Sequence, residues 1–136
     1  MLCIPMKMAN NLCLPLFLKG KLRFGYTTIG NFYRPNGEND KHVYCAWYTN
    51  LPVNKSYPKL NFVDYDEEKF PKYDNYDGVD CSDQHHIPIT DSIIGLPLSI
   101  LKNIDPNNLP FDIIGVEHTL KIKGINIFDR LMVKFK

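Results

Sequence analysis

Between Phe70 and Ile104 the chain alternates residues that turn with residues that pack, and this limits what its neighbours can be. Phe70-Pro71-Lys72-Tyr73-Asp74-Asn75-Tyr76-Asp77-Gly78-Val79-Asp80-Cys81 combines turn formers, aromatics and acids. Asn, Asp, Gly and Pro supply the backbone conformations that turns require. The aromatics argue for packing, since disordered acidic segments are poor in them. The reading is a structured, loop-rich junction. Thr90-Asp91-Ser92 then leads through Ile93-Ile94-Gly95 to the best short helix candidate. Pro97 suits a first helical turn, and Leu98, Leu101 and Ile104 share one face. Asp105-Pro106-Asn107-Asn108 stops it.

Strand signals dominate elsewhere. Residues 2–4 form a short strand stopped by Pro5, and residues 6–19 are loosely helical, cut into pieces by Pro15 and ended at Gly20. Leu22, Phe24 and Tyr26 alternate with Arg23 in a strand over residues 21–29. Residues 42–49, rich in aromatic and β-branched side chains, are the strongest strand. The two predict a hairpin whose long polar loop covers residues 30–41. Leu60, Phe62 and Val63 suggest a short strand, and Phe111–Val116 a buried one. Thr119–Lys123 and Ile125–Phe135, joined at Gly124, predict a second hairpin with one basic face. The fold class is α+β, a mixed α/β chain with two hairpins and few short helices.

The 136 residues suit one domain, or part of one. A hydrophobic content of 44% supports a core, and no apolar run reaches the roughly 18 residues of a membrane span. Without a signal-peptide layout at the N-terminus, the expected compartment is the cytoplasm. Net charge is only +1, but it is unevenly placed. Lys7, Lys19, Lys21, Arg23 and Arg34 stand in an N-terminal stretch without acids, whereas residues 64–83 carry eight acids. Such basic ends can contact phosphate, or be ordinary solvated surface. Cys3, Cys13, Cys45 and Cys81 are irregularly spaced, which argues against a disulfide framework. Cys13 and Cys45 lie among apolar residues and read as buried thiols.

Local chemistry is sparse. Cys81, His85 and His86 give three candidate ligands where zinc takes four, and no second Cys pair completes the set. A small enzyme built on these three is the weakest reading, and two exposed imidazoles on a polar loop is the plain one. No phosphate-cradling glycine loop occurs. Arg23-Phe24-Gly25-Tyr26 and Phe32-Tyr33-Arg34 interleave aromatic and basic groups. Such pairs stack bases and hold phosphate, but in a strand they are equally cross-strand packing.

Several segments, taken in order, resemble the C-terminal half of EcoRI-type adenine-specific DNA methyltransferases. They are Lys21-Leu22-Arg23-Phe24-Gly25-Tyr26, Trp47-Tyr48-Thr49-Asn50-Leu51, Phe70-Pro71-Lys72-Tyr73-Asp74-Asn75-Tyr76-Asp77, Ile94-Gly95-Leu96-Pro97-Leu98 with Phe111-Asp112-Ile113-Ile114-Gly115, and Lys123-Gly124-Ile125 through Arg130-Leu131-Met132-Val133. The resemblance covers roughly residues 20–136. It implies methyl transfer from S-adenosylmethionine to adenine N6 in the complete enzyme of a restriction–modification system. The family's Asp/Asn-Pro-Pro-Tyr/Phe catalytic loop is absent from this sequence, and so is its cofactor-binding segment. The chain is therefore similar to the downstream part of a Rossmann-like methyltransferase, inactive alone. Residues 1–52 would supply late sheet strands and a helix, and residues 53–136 a recognition and structural region. The opening Met1 points to a truncated or split gene.

On this reading the partner is DNA, with no catalytic residue, cofactor or metal held by this chain. Charge and aromatic placement mark Arg23, Arg34, Lys41, Lys72 and Tyr73 as contacts, and Lys121 and Lys123 as backbone contacts. The alternative is a protein-interaction subunit that completes a separately encoded N-terminal half, or pairs with a second copy of itself, through a sheet edge.

Overall fold

The structure, a computed structural model, describes residues 2–5, 13–37, 41–51, 57–127 and 129–136. Strands dominate among them, in mixed sheets with little helix, as the α+β expectation requires. No described helix is long and apolar enough to cross a membrane. The chain divides into two compact units, Met1–Ser56 and Tyr57–Lys136.

The first unit is an antiparallel sheet. Strands β1 (Leu2–Pro5), β2 (Arg23–Phe32) and β3 (Lys41–Thr49) lie in the order β1-β3-β2. The expected hairpin is present, but its ladder runs beyond residue 29 to Phe32 opposite Lys41, into the segment read as loop. Two register shifts, between Phe24 and Thr28 and between Ile29 and Asn31, bend it. His42 Nδ1 lies 2.9 Å from Asn31 Oδ1 and braces the extension. Helix α1 covers residues 13–18, and the remainder of the helical stretch, residues 6–12, falls outside the described residues. Gly20, at φ 67, ends it. Gly20 N donates to Phe17 O and Lys21 N to Leu16 O, each at 2.9 Å, so the last carbonyls find partners. Phe17 meets Phe24 edge-on at 5.7 Å, and Phe24 lies 4.7 Å from Tyr48. Cys13 and Cys45 are buried thiols of this core, in no disulfide.

The second unit is built around β11 (Arg130–Phe135). It lies between β7 (Ile93–Pro97) and β8 (Phe111–Glu117), antiparallel to both, and β5 (Gly78–Asp80) adds to β7 in parallel. Leu131, Met132 and Val133 are all at most 1% exposed. Three consecutive buried residues mean that both faces of the strand are covered. The expected second hairpin with a basic face is thereby corrected. Only β9 (Lys121–Ile122) and β10 (Ile125–Asn126) pair as a hairpin. Lys123 and Gly124, at φ 50 and 77, turn the chain back after two residues, which frees residues 130–135 for the main sheet.

Other expectations shift too. The loop-rich junction contains β5 and β6 (Ile87–Ile89), the latter parallel to β4 (Phe62–Asp64). Phe111–Val116 was expected as a buried strand, but β8 is an edge strand with Asp112 exposed and Ile114 half in solvent. The helix after Pro97 is a 3₁₀ helix, Leu98–Lys102, with Ile100 and Leu101 buried. Five residues ended at Asn103 are too few for a stable α-helix, and the tighter winding serves short connections. Phe111 and Phe62 both meet Phe135 edge-on, at 5.6 and 5.5 Å.

One glycine fixes how the motifs stack. A Cβ added at Gly95 of β7 would collide with the hydroxyl and ring of Tyr73. Gly95→Ala is therefore expected to lower stability by about 1–3 kcal/mol through overpacking, read as the urea midpoint. The loss should shrink in a Tyr73→Ala background, where the ring is gone. An unchanged midpoint for Gly95→Ala would contradict this packing.

Candidate nucleic-acid interface

Pro71-Lys72-Tyr73 runs antiparallel to Gly78-Val79-Asp80. Tyr73 N donates to Gly78 O at 3.1 Å, Asp80 N to Pro71 O at 2.8 Å, and Lys72 bridges Val79. Bends at residues 74–77 join the two sides. Aromatic side chains of this turn point inward. Tyr73, Leu120 and Met132 form a buried cluster, with Tyr76, Ile93, Ile122 and Ile127 packed against it.

The polar side chains of the same turn reach sideways to residues 119–124. Asn75 Nδ2 donates to Thr119 O at 2.7 Å, and Asn75 Oδ1 accepts from Lys121 N at 3.0 Å. Asp74 N donates to Lys121 O at 2.7 Å. The Asp74 carboxylate accepts from Lys123 N at 3.1 Å and from Gly124 N at 2.8 Å, one oxygen to each. The short β9–β10 tongue is held by these bonds. Along it, Leu120 is buried, Lys121 exposed, Ile122 half-buried and Lys123 exposed. The period of two turns the isoleucine inward and both lysines outward.

Beneath the turn lies a buried polar centre. Asp80, 6% exposed, accepts from Tyr73 Oη at 2.6 Å and from Arg130 Nε at 2.9 Å, both on Oδ1. Burial, reinforced by the bond to Asp80, holds the Tyr73 phenol far above the ordinary phenol range. The triad ties the turn to β11 and to β5.

Two of the grooves on this unit differ in charge. A cleft of about 950 Å³ is lined by Asp64, Asp66, Glu67 and Asp83, with Tyr65, Phe70, Lys69 and His86. Its carboxylates repel phosphate. A smaller groove of about 330 Å³ is lined by Lys72 and Lys123 with Ile122, and also by Glu67 and Glu68.

The candidate residues fall as follows. Lys72, Lys121 and Lys123 are exposed, the first and last on one groove. Tyr73 is instead buried against Gly95, whereas Lys72 beside it is exposed. The acids around it left the sequence reading blind to this, because Asp74 and Asp77 mark a solvated loop while Tyr73 hangs inward. In the first unit, Arg23 is half-buried at the start of β2 and Arg34 is exposed beyond its end. Lys41 opens β3, and its side chain lies outside the described residues. Tyr33 was not among the candidates, although Phe32-Tyr33-Arg34 carried the aromatic and basic pattern. It is 91% exposed at the end of β2, an aromatic ring left in water.

Cys81, His85 and His86 do not come together as a reactive set. The Cys81 sulfur is buried and donates to Asp83 O at 3.1 Å and His86 O at 3.3 Å, whereas both imidazoles are exposed. Burial pushes the thiol up to about 11. Asp83 accepts at 2.9 Å from His85 N and sits 2.7 Å from His86 Nδ1. The His86 bond, then the His85 amide, hold its carboxyl below the ordinary value. Among the described residues no group of three or more His, Cys, Asp or Glu is placed to hold a metal ion.

Residues 23–134 match the family described as adenine-specific methyltransferase EcoRI. The chain belongs to this family. It is 33% identical over 101 residues, 68% of its length, to "Type II methyltransferase M.EcoRI" of Escherichia coli, of which the match covers 30%. It is 29% identical over 113 residues, 66% of its length, to "Type II methyltransferase M.MgeORF184P" of Mycoplasma genitalium, of which the match covers 36%. The chain thus spans about a third of the length of these relatives. No solved structure matches it. The EcoRI-type match takes in both the turn at residues 71–80 and the tongue it holds.

A raised thiol pKa has a simple consequence. With its folded value near 11, Cys81 stays protonated through neutral and mildly alkaline pH, and the thiolate is the reacting form. An aromatic disulfide reagent at mildly alkaline pH should leave Cys81 unmodified in the native protein and label it fully in urea. Rapid native labelling of Cys81 would contradict the buried position.

Proposed function

We propose that this chain is the C-terminal, DNA-contacting part of an adenine-specific (N6) DNA methyltransferase of a restriction–modification system, acting in the cytoplasm and without turnover alone. The observation that carries the reading is the tongue at residues 121–126. There Lys121 and Lys123 are exposed and Lys123 shares a groove with Lys72, all within the family's matched segment. Exposed lysines on a fixed backbone suit phosphate, which supplies most of the affinity for a duplex without specifying sequence. Tyr33 with Arg34 offers a second contact on the other unit, an exposed ring for stacking beside a cation. On this reading the strands of the first unit close a Rossmann-like sheet begun elsewhere.

S-adenosylmethionine would supply the methyl group in the complete enzyme. The residues present do not fit that role, because neither the cofactor segment nor the Asp/Asn-Pro-Pro-Tyr/Phe loop occurs in this sequence. Adenine N6 chemistry needs a base extruded from the stack and held at its Watson–Crick edge. The tongue lysines can position a duplex for that event but cannot perform it. A second reading, completion of a partner's sheet, draws on β8, an edge strand with Ile114 half in solvent.

The test is fluorescence anisotropy with a short labelled duplex across a salt series. Binding should weaken steeply with salt, and the Lys72→Gln/Lys121→Gln/Lys123→Gln variant should reduce the log–log slope by about three. Undetectable or salt-independent binding would overturn DNA contact and favour the sheet-edge reading. Methyl transfer by the isolated chain from labelled S-adenosylmethionine would overturn the claim that it lacks turnover.

A further inference from the structure

The tongue that carries Lys121 and Lys123 does not hold its own shape. Each of its strands is two residues long, and a hairpin of that size has too few bonds to stand alone in water. Its turn puts Lys123 at φ 50, in the left-handed region that side-chain-bearing residues avoid. Something outside the tongue must fix it. The only groups seen bonding its turn amides among the described residues are the two oxygens of Asp74. Asn75 adds a donor and an acceptor to the strand before the turn.

We infer that Asp74 and Asn75 are positioning residues for nucleic acid, setting the Lys121–Lys123 backbone so that both side chains meet phosphate. This rests on the DNA-contact reading above. The Asp74 carboxylate occupies the pair of turn amides, a concavity that would otherwise suit an anion. Phosphate contact on the tongue therefore falls to the lysine side chains. Charge and position then oppose each other at Asp74. It is an exposed negative group bonded to the backbone of a lysine. By Coulomb attraction alone, its removal should tighten DNA binding. If it acts by position, its removal should weaken binding.

The sign of the effect is the experiment. Asp74→Asn keeps the shape, removes the charge and leaves one acceptor for two amides. Duplex affinity is measured by anisotropy for the full chain, Asp74→Asn, Lys121→Gln/Lys123→Gln, and the three changes combined. Asp74→Asn is expected to bind about tenfold more weakly and to lower the salt slope. In the Lys121→Gln/Lys123→Gln background it should cause no further loss, because coupled residues are not additive. Gly124→Ala provides a second route, since its φ of 77 disfavours alanine while no atom lies within 4 Å of the added Cβ. It should weaken binding similarly with the circular dichroism spectrum unchanged. Tighter or unchanged binding by Asp74→Asn, or a loss that persists without the lysines, would overturn the inference. A wild-type chain that does not bind DNA would instead sink the underlying reading, and this inference with it.

Discussion

Two polar side chains do the work of a missing strand. Asp74 and Asn75 lie 44 to 50 residues from their partners in the sequence, yet they satisfy the backbone of residues 119–124 as a neighbouring strand would. A tight hairpin leaves donors and acceptors along its edge that a neighbouring strand would otherwise pair. Here a loop pairs them. Charge-assisted bonds, such as those from the Lys123 and Gly124 amides to a carboxylate, are stronger than neutral ones. They also act at a distance in sequence, so they close the second unit as well as brace the tongue.

This closure depends on what lies beneath it. Asp74 can reach the tongue only if Tyr73 is seated, and Tyr73 is seated by Gly95 below and Asp80 at its hydroxyl. Asp80 is tolerable in the core because Arg130 shares it, since a buried carboxylate without a partner is strongly destabilising. Arg130 opens β11, the central strand. Thus three of the segments that resemble the family in sequence, all in the second unit, converge in space: the turn, the Ile-Gly-Leu-Pro strand, and the final strand. Their shared physical content is one polar centre with its packing.

Much of this was legible in the sequence. Alternation gave the β2–β3 hairpin, and the left-handed stop at Gly20 was visible as a glycine after an apolar helical stretch. Buried thiols at Cys13 and Cys45 followed from their apolar neighbours. The short strands β5, β6 and β7 were hidden, because three to five residues are too few to show a period. The second hairpin was misread for a related reason. Leu131 and Val133 alternate with Met132, but all three are apolar, so a one-faced strand and a doubly covered one look alike when basic residues flank them. Of the candidate site, the lysines were legible as charge. The inward turn of Tyr73 was not, because it depends on a glycine more than twenty residues away and on a carboxylate seven residues on.

Amide hydrogen exchange measures the Asp74–Asn75 contacts directly. Lys121, Lys123 and Gly124 should exchange at least about tenfold more slowly than an open chain, as expected for bonded amides in a cooperative unit. Asn75→Ala should release Lys121 selectively. Exchange of all three amides at the open-chain rate in the unaltered protein would contradict the clasp, and with it the structural basis of the tongue.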